Sequence, residues 1–391
     1  MRAPPFKKEV LLEDELGRGF AAVVKYGPHL FVAGSNGFRD PETERIDSEL
    51  TWQAEAQCRN AYGRIVKRLE KAGYGGNCAV WIENFTSGQE WRLPRMGLWP
   101  EYFGEREHGW AVSFGAQTKM NGINMITTVC MALTPDLERI VGVEQPHRGR
   151  ASRVTKCGDF IYVIGVRGRE NPFSGEIAPE ETPDAFRPQL RNCLDRLKAH
   201  LQTLDSDVDQ FVRLDACLRD VNRAPEYWST GREYSGGKIP WAGYAVGCPL
   251  GGRLEQEVGG VAVAPGVAKE VAWFDQRPEL AQAVKGACLV FASGCLGSKD
   301  LSGQRTLPEL AGDKVGQTRQ AFRRLEAALA RFDLGLEAVC RLDVFVRDIY
   351  FEDAFYRLAR DVFGPSPPAI SVVGAELEGI GEVELVAIAG A

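Results

Sequence analysis

The chain has 391 residues, of which 44% are hydrophobic and 26% are charged, a composition that excludes a mainly disordered or fibrous protein. Lys and Arg number 47 against 53 for Asp and Glu, so the net charge is -6 and argues against a general binder of nucleic acid or of anionic membranes. The length is sufficient for two or three domains of ordinary size.

The cysteine and histidine pattern predicts no metal site. The ten cysteines contain no Cys-x-x-Cys pair, and the four histidines are far apart in the chain. The N-terminal residues contain no apolar run of signal-peptide length, and no stretch of the chain is apolar enough to cross a bilayer. We therefore expect a cytoplasmic protein with reduced, mostly buried thiols, no cofactor, and neither a membrane nor a nucleic acid as partner.

The chain repeats itself at a domain-sized interval. Three apolar, strand-like segments share a glycine context: HLFVAGSNG at Gly34, FIYVIGVRG at Gly165 and CLVFASGCLG at Gly294. These glycines are about 130 residues apart. A helix-period segment follows each of them, in the order CRNAYGRIVKRL, LRNCLDRLKAHL and TRQAFRRLEAAL. Apolar residues at i, i+3 or i+4 and i+7 predict one buried face per helix, with the arginines off that face.

Further elements keep the same order in each copy. An alternating strand comes next (AVWIENF, RLDACLRD and RLDVFVRD), and then a second helix that ends at a glycine, Gly104, Gly236 or Gly364. A pair of strands closes each copy, and residues 132–149 and 264–279 are interpreted as linkers with short strands. The sequence therefore predicts an α+β protein with the order β-β-α-β-α-β-β three times, in domains 1–140, 141–266 and 267–391.

The first copy contains an insertion that the others lack. Its sequence, FTSGQEWRLPRMGLWPEYFG, interleaves Trp91 and Trp99 with Arg92 and Arg95. Aromatic rings among arginines suit a planar carboxylate ligand, and the same composition suits a helix that packs against a neighbouring unit. We favour the packing interpretation.

The third copy resembles the RidA/YjgF family. It has a Ser-Gly pair after the second strand, a Q-x-R-x-x-x-x-L helix, the strand RLDVFVRD, an F-G turn, PPAISVVG at the place of a P-A-R-S motif, and a closing VELVAIA. The resemblance covers residues 270–390 and extends more faintly to 20–135 and 148–264. It implies α+β subunits that associate as trimers with a ligand cleft at each junction. Three copies in one chain then imply an intrachain pseudo-trimer, with further homo-oligomers of that unit left open.

The resemblance also implies a chemistry. Family members hydrolyse reactive imines and enamines; the arginine of P-A-R-S anchors the substrate carboxylate, and the first glutamate of the closing strand acts as acid and base. Glu384 matches that glutamate directly and Glu257 matches it through the repeat. Val112, Gly243 and Ile370 stand at the arginine position, and none of these side chains binds an anion. Their presence speaks against ordinary deamination of amino-acid-derived imines.

Residues after the Ser-Gly strand line the family's cleft. The corresponding positions here predict Ser293, Cys295, Arg167 and Ser35 as substrate-binding residues, together with Ile370. A buried inert thiol is the preferred interpretation of Cys295 over a nucleophile, because no histidine lies near it in sequence. Arg167 is a possible replacement for the missing anchor.

Three functions remain open at this point. The first is a hydrolase, similar to an imine or enamine deaminase, that acts on a small carbonyl-derived metabolite with Glu384 and Glu257 as catalytic residues. The second is a chorismatase-like hydrolase or lyase for a cyclic carboxylate. The third is a non-catalytic ligand-binding or scaffold protein, with clefts narrowed or closed by Trp110 and Trp241.

Overall fold

The structure is a computed structural model. It describes residues 5–87, 92–104, 111–117, 120, 124, 126–144, 152–179, 185–250 and 254–391. Trp91 and Trp110 lie outside these residues, as do the side chains of Arg92, Arg95 and Val112.

The described residues form a mixed α/β protein of strands β1–β19 and helices α1–α6. The strands are β1 Lys8–Glu13, β2 Ala21–Tyr26, β3 His29–Asn36, β4 Ala79–Thr86, β5 Ala111–Gln117, β6 Ile126–Leu133, β7 Arg139–Glu144, β8 Ser152–Cys157, β9 Phe160–Arg167, β10 Phe211–Leu218, β11 Ala245–Gly247, β12 Gln256–Val263, β13 Lys269–Phe274, β14 Arg277–Gly286, β15 Leu289–Ala292, β16 Cys295–Leu296, β17 Val339–Val346, β18 Ala369–Gly374 and β19 Val383–Gly390. The helices are α1 Ala54–Lys71, α2 Arg92–Phe103, α3 Phe186–Gln202, α4 Ala224–Tyr234, α5 Lys314–Ala330 and α6 Glu352–Phe363.

The strand pairings fall into three groups, which are termed the first segment (β1–β6), the second segment (β7–β12) and the third segment (β13–β19). In the third segment β17 lies between β18, which is parallel to it, and β19, which is antiparallel and also pairs with β15 and β16. In the first segment β4 lies likewise between β5 and β6, and β6 pairs with β3. In the second, β10 lies between β11 and β12, and β12 pairs with β9. The pairing order is the same in all three.

The interpreted linkers form regular strands. β7 pairs with β8 and β13 pairs with β14, each as an antiparallel hairpin, in the way that β1 pairs with β2. Each segment therefore begins with one strand more than the predicted order. Alternating residues such as those of Lys269–Phe274 need a partner strand to satisfy their backbone groups, and the next strand along the chain supplies it.

The long helices bury the predicted apolar stripe, with one correction. Ala321, Leu325 and Ala328 of α5 are buried, as the periodicity predicts. The prediction that the arginines lie off this face is wrong for Arg64 and Arg324, which are both buried. Arg324 comes three residues after Ala321 and four before Ala328, and this spacing places it on the buried face. Its long side chain reaches from there to the strand layer.

A buried group of charges lies where the central strands of the three segments meet. This central ionic cluster consists of Glu83 on β4, Arg213 and Asp215 on β10, and Arg341 and Asp343 on β17. Arg213 contacts Asp215 at 2.7 Å and Asp343 at 3.3 Å. Arg341 contacts Asp343 at 2.9 Å and also bonds to Glu83. Two guanidinium groups thus face three carboxyl groups away from solvent.

Trp81 occupies the place of a third arginine in this cluster. Trp81 pairs with Ala111, just as Arg341 pairs with Ala369 and Arg213 bridges to Ala242. The Trp81 ring lies under both guanidinium groups, with the Arg213 and Arg341 carbons at 5.3 and 5.7 Å from its centre. The ring stabilises the two cations without adding a charge.

Candidate active site

An open cleft lies between the second and third segments, with a volume of about 720 Å³ when the open space at its mouth is counted. Trp228, Ile239, Trp241 and Gly243 of the second segment form one wall. The third segment forms the other wall, with Phe274, Arg277, Leu280, Ser293, Gly294, Lys299, Arg324, Glu378 and Glu384 among its lining residues. Trp241 lines the cleft and does not close it, and that it narrows the cleft stays a prediction.

Main-chain hydrogen bonds join the two walls at the base. Gly294 N donates to Gly243 O at 2.9 Å, and Ile239 N donates to Glu279 O at 2.7 Å. Ala281 N donates to Ile239 O at 3.2 Å. Gly243 is the position that corresponds to the arginine of the P-A-R-S motif. A Cβ there would collide with Leu214 O, so the backbone excludes any side chain from this place.

Glu384 is the acidic group at the end of the cleft. It lies on β19 opposite Leu296 and Phe345, and only 8% of the residue is exposed. Burial raises the pKa of its carboxyl group to about 8, although the charge of Arg324 opposes this shift. The side chain is therefore mostly a neutral acid at pH 7. A Cβ on Gly294 would collide with the Glu384 Oε1 atom, so a larger residue there would displace this carboxyl group.

Arg324 is a cationic residue of the cleft whose charge acts on Glu384. The sequence analysis does not predict it as a site residue. Its Nη1 atom donates to Leu296 O at 2.7 Å, and its Nε atom is buried without a hydrogen-bond partner among the described residues. Arg64 holds the same place in α1, but there the guanidinium pairs with Glu44 at 2.5 Å. Within the described residues Arg324 has no carboxylate partner of this kind, so its charge is available to an anion.

The rim of the cleft combines aromatic and paired charged side chains. Arg277 lies 3.6 Å from Glu279, and Lys299 lies 3.2 Å from Glu378. Phe274 and the two tryptophans of the opposite wall supply apolar surface. Such a site suits a small ligand with one anionic end and a flat or apolar body.

Glu257 and Arg167 contact each other, and neither residue lines this cleft. They face each other across β12 and β9, and Arg167 Nε donates to Glu257 Oε2 at 2.8 Å. The Glu257 carboxylate raises the pKa of Arg167. Each group therefore neutralises the other, which leaves Arg167 less able to bind a substrate anion.

Ser35 and Ile370 lie at the packed contact between the first and third segments. Arg68 Nη1 donates to Ser35 Oγ at 3.0 Å, and Ile370 is buried in the core. Across this contact Phe20 stacks on Tyr356 with ring centres 4.9 Å apart. The structure thus places these two predicted residues among side chains that fill the contact.

Ser293 and Cys295 lie on either side of Gly294, where the chain passes from β15 to β16. Ser293 lines the cleft and donates its Oγ proton to Ala281 O at 2.8 Å. Cys295 is buried, and its Sγ lies 3.3 Å from Ser293 O. Burial raises the pKa of this thiol to about 11, so it stays protonated and is a poor nucleophile.

The described residues contain neither a metal-binding cluster nor a membrane-spanning helix. No group of three or more His, Cys, Asp or Glu side chains in the described part of the chain is arranged to hold a metal ion. No described helix is long and apolar enough to cross a membrane.

Comparisons with known proteins identify relatives. Residues 274–391 match a family described as endoribonuclease L-PSP. The RutC family protein UK114 of Drosophila melanogaster is 32% identical over 113 residues, which cover 28% of this chain and 78% of that protein. A member of the YjgF/UK114 family from Mycobacterium tuberculosis is 27% identical, covering 32% of this chain and 100% of its own, with a TM-score of 0.27.

A solved chorismatase is similar over a larger part of the chain. It covers 80% of this chain and 93% of its own, with 13% identity and a TM-score of 0.52. At this identity the likeness concerns the fold alone. The sequence matches are more specific: on the 32% identity to UK114 the chain belongs to the RidA/YjgF family, and the family domain lies at residues 274–391 of the third segment.

Proposed function

We propose that this chain is a hydrolase for a small anionic imine or enamine, and that it works in the cleft between the second and third segments. The observation that carries the proposal is the buried carboxyl group of Glu384, which lines an open cleft beside the guanidinium of Arg324, a group with no ion pair among the described residues. Arg324 supplies from α5 the anion anchor that the P-A-R-S position does not supply.

Glu384 serves as acid and then as base in this proposal. The protonated carboxyl group gives its proton to the imine nitrogen while water adds to the carbon, and the carboxylate so formed takes a proton from that water. In the second step the same group protonates the leaving nitrogen and takes the hydroxyl proton as the carbonyl forms. One imine and one water yield one carbonyl compound and one ammonia, and Glu384 ends protonated.

A carboxyl group with a pKa of about 8 is well suited to this cycle. At neutral pH it holds the proton needed for the first step, and its conjugate base is strong enough to take a proton from attacking water. Catalysis by Glu257 stays a prediction; its ion pair with Arg167 makes Glu384 the better candidate.

We also propose that the three segments are tandem RidA-like domains, 1–140, 141–266 and 267–391, arranged as a pseudo-trimer within one chain. The shared pairing order and the convergence of β4, β10 and β17 on one cluster support this arrangement. In it the three junctions differ, and we assign catalysis to the open cleft between the second and third segments.

Cleavage of a cyclic carboxylate is the second candidate function. The aromatic side chains Trp228, Trp241 and Phe274 along the cleft favour it, because they can pack on the faces of a ring. Glu384 would then protonate the leaving oxygen, and Arg324 would hold the carboxylate.

The test measures ammonia release from imines generated in situ by an amino-acid oxidase, with cyclic enol-ether carboxylates as a parallel panel. The variant Glu384→Gln should lower kcat/KM about 100-fold or more. Glu257→Gln is the comparison variant, since it changes an equivalent buried glutamate: kcat/KM within a factor of about three of wild type would assign the reaction to Glu384, and a loss as large as that of Glu384→Gln would support the prediction for Glu257.

The pH profile gives a second readout. Activity should fall as pH rises above about 8, where Glu384 loses the proton used in the first step. Full activity in the Glu384→Gln variant would refute the mechanism. Binding of keto acids by the wild-type chain without turnover of either panel would favour the non-catalytic alternative.

A further inference from the structure

A second compartment continues the cleft outward. Its volume is about 660 Å³, and it shares Trp228, Arg277, Leu280 and Lys299 with the inner cleft. Arg232 of α4 lines only this outer compartment. A ligand that extends out of the inner cleft past Trp228 therefore enters this second compartment.

The charges along this path are unevenly compensated. Arg277 and Lys299 each lie near a glutamate of the rim. Arg324 at the inner end and Arg232 at the outer end have no ion pair within the described part of the chain. Glu384 adds no negative charge while it is protonated. Two uncompensated guanidinium groups thus mark the two ends of one continuous cavity.

The stretch between these ends is apolar on one side. Trp228 and Leu280 line both compartments and present ring and aliphatic surface to the path between them. A chain of methylene groups can bury apolar area there without losing a hydrogen bond. Guanidinium groups recognise carboxylates in particular, because two parallel N–H donors match two oxygens.

We propose that the substrate is a dianion, of the class of 2-oxo dicarboxylates and the imines derived from them. The carboxylate next to the reacting carbon binds Arg324, the aliphatic middle lies against Trp228 and Leu280, and the distal carboxylate binds Arg232 at the mouth. This inference rests on the proposed function for the choice of the reacting end.

The test compares two ligands of equal length by calorimetric titration of the wild-type chain. 2-Oxoadipate has a carboxylate at the distal end, and 2-oxohexanoate has a methyl group there. We expect 2-oxoadipate to bind about tenfold more tightly, which is the effect of one charge-assisted hydrogen-bonded pair. The advantage should shrink as salt is added, since the outer pair is exposed to solvent.

Arg232→Ala should remove this advantage and leave the affinity for 2-oxohexanoate unchanged. Because Arg232 is exposed, its loss does not threaten folding. Arg305→Ala is the matched control: that arginine side chain is 75% exposed, it lies outside the cleft lining, and its removal changes the net charge equally. It should preserve the tenfold preference.

Equal affinity of the two acids for the wild-type chain, or an undiminished preference in Arg232→Ala, would overturn the inference, as would failure of both acids to bind. These binding results can be distinguished from the results that test the proposed hydrolase activity. A dianion preference without any ammonia release would refute the hydrolase and support the dianion site. Ammonia release from monoanionic imines without a dianion preference would do the reverse.

Discussion

The central ionic cluster predicts a proton bound inside the folded chain. Its three carboxyl groups face two guanidinium groups, and Trp81 adds no charge where a third arginine would balance the set. The other titratable groups that face Asp215 are neutral phenols and a thiol: Tyr227, Tyr244 and Cys217. One carboxyl group is therefore in surplus, and an unpaired buried carboxylate is costly.

Asp215 is the group that takes the proton. Complete burial raises its pKa from 3.8 to about 7, against the opposing effect of Arg213. Between these two values the folded chain holds a proton that the unfolded chain has lost, so the contribution of Asp215 to stability is greatest in acid and falls as pH rises towards 7. One proton corresponds to about 1.4 kcal/mol per pH unit over the interval in which the two states differ.

The assay is guanidinium-induced unfolding from pH 4.5 to 8, followed by fluorescence and circular dichroism to establish that the two probes change together. Relative to wild type, Asp215→Asn should gain about 1.4 kcal/mol of unfolding free energy per pH unit up to pH 7 and nothing further above it. Asp14→Asn is the control, because Asp14 is a buried carboxylate with its own arginine, Arg18, at 2.8 Å. It should leave the wild-type decline between pH 5 and 7 in place. A constant difference between wild type and Asp215→Asn at every pH would refute the charge argument.

Three more predictions concern thiols, the cleft and the packed contact. All ten cysteines are buried, so Ellman's reagent at pH 8 should react with none of them in the folded chain and with all ten in guanidinium; rapid reaction of a native thiol would contradict this. Gly294→Ala should displace the Glu384 carboxyl group and lower kcat/KM about tenfold or more with circular dichroism unchanged, whereas unaltered kinetics would place that carboxyl group outside the reaction. Phe20→Ala should cost about 3–5 kcal/mol in guanidinium unfolding because it removes the ring stacked on Tyr356, while Phe173→Ala, at a residue 59% exposed, should cost about 0.5 kcal/mol or less; equal costs would contradict the packing.

The sequence predicted those elements that depend on local pattern. The helix of α5 and the strand β17 follow from side-chain periods within a dozen residues, and Glu384 is a candidate because a strand motif marks it. Arg324 was missed because an arginine suggests solvent, although its spacing from Ala321 and Ala328 carries the signal of a buried position.

Such local patterns do not predict that the junction of the second and third segments is open. It depends on pairs of residues from different segments, such as Gly243 with Gly294 at the cleft and Phe20 with Tyr356 at the closed contact. The docking of two segments decides which side chain fills the space between them. A single sequence, taken without an alignment, contains no signal of that docking. The ion pair of Glu257 with Arg167 belongs to the same class, since the two residues are ninety positions apart.

The backbone bonds that join Gly294 to Gly243 and Ile239 to Glu279 make the base of the cleft a continuation of the sheet. Opening the cavity by swinging one segment away from the other would break those bonds in a place that water hardly reaches. Ligands therefore enter past the side chains at the rim, and the backbone at the base of the cleft is already in place. The selectivity of the cleft then depends on how well a ligand fits its existing shape. Binding does not lose affinity to the ordering of a loop.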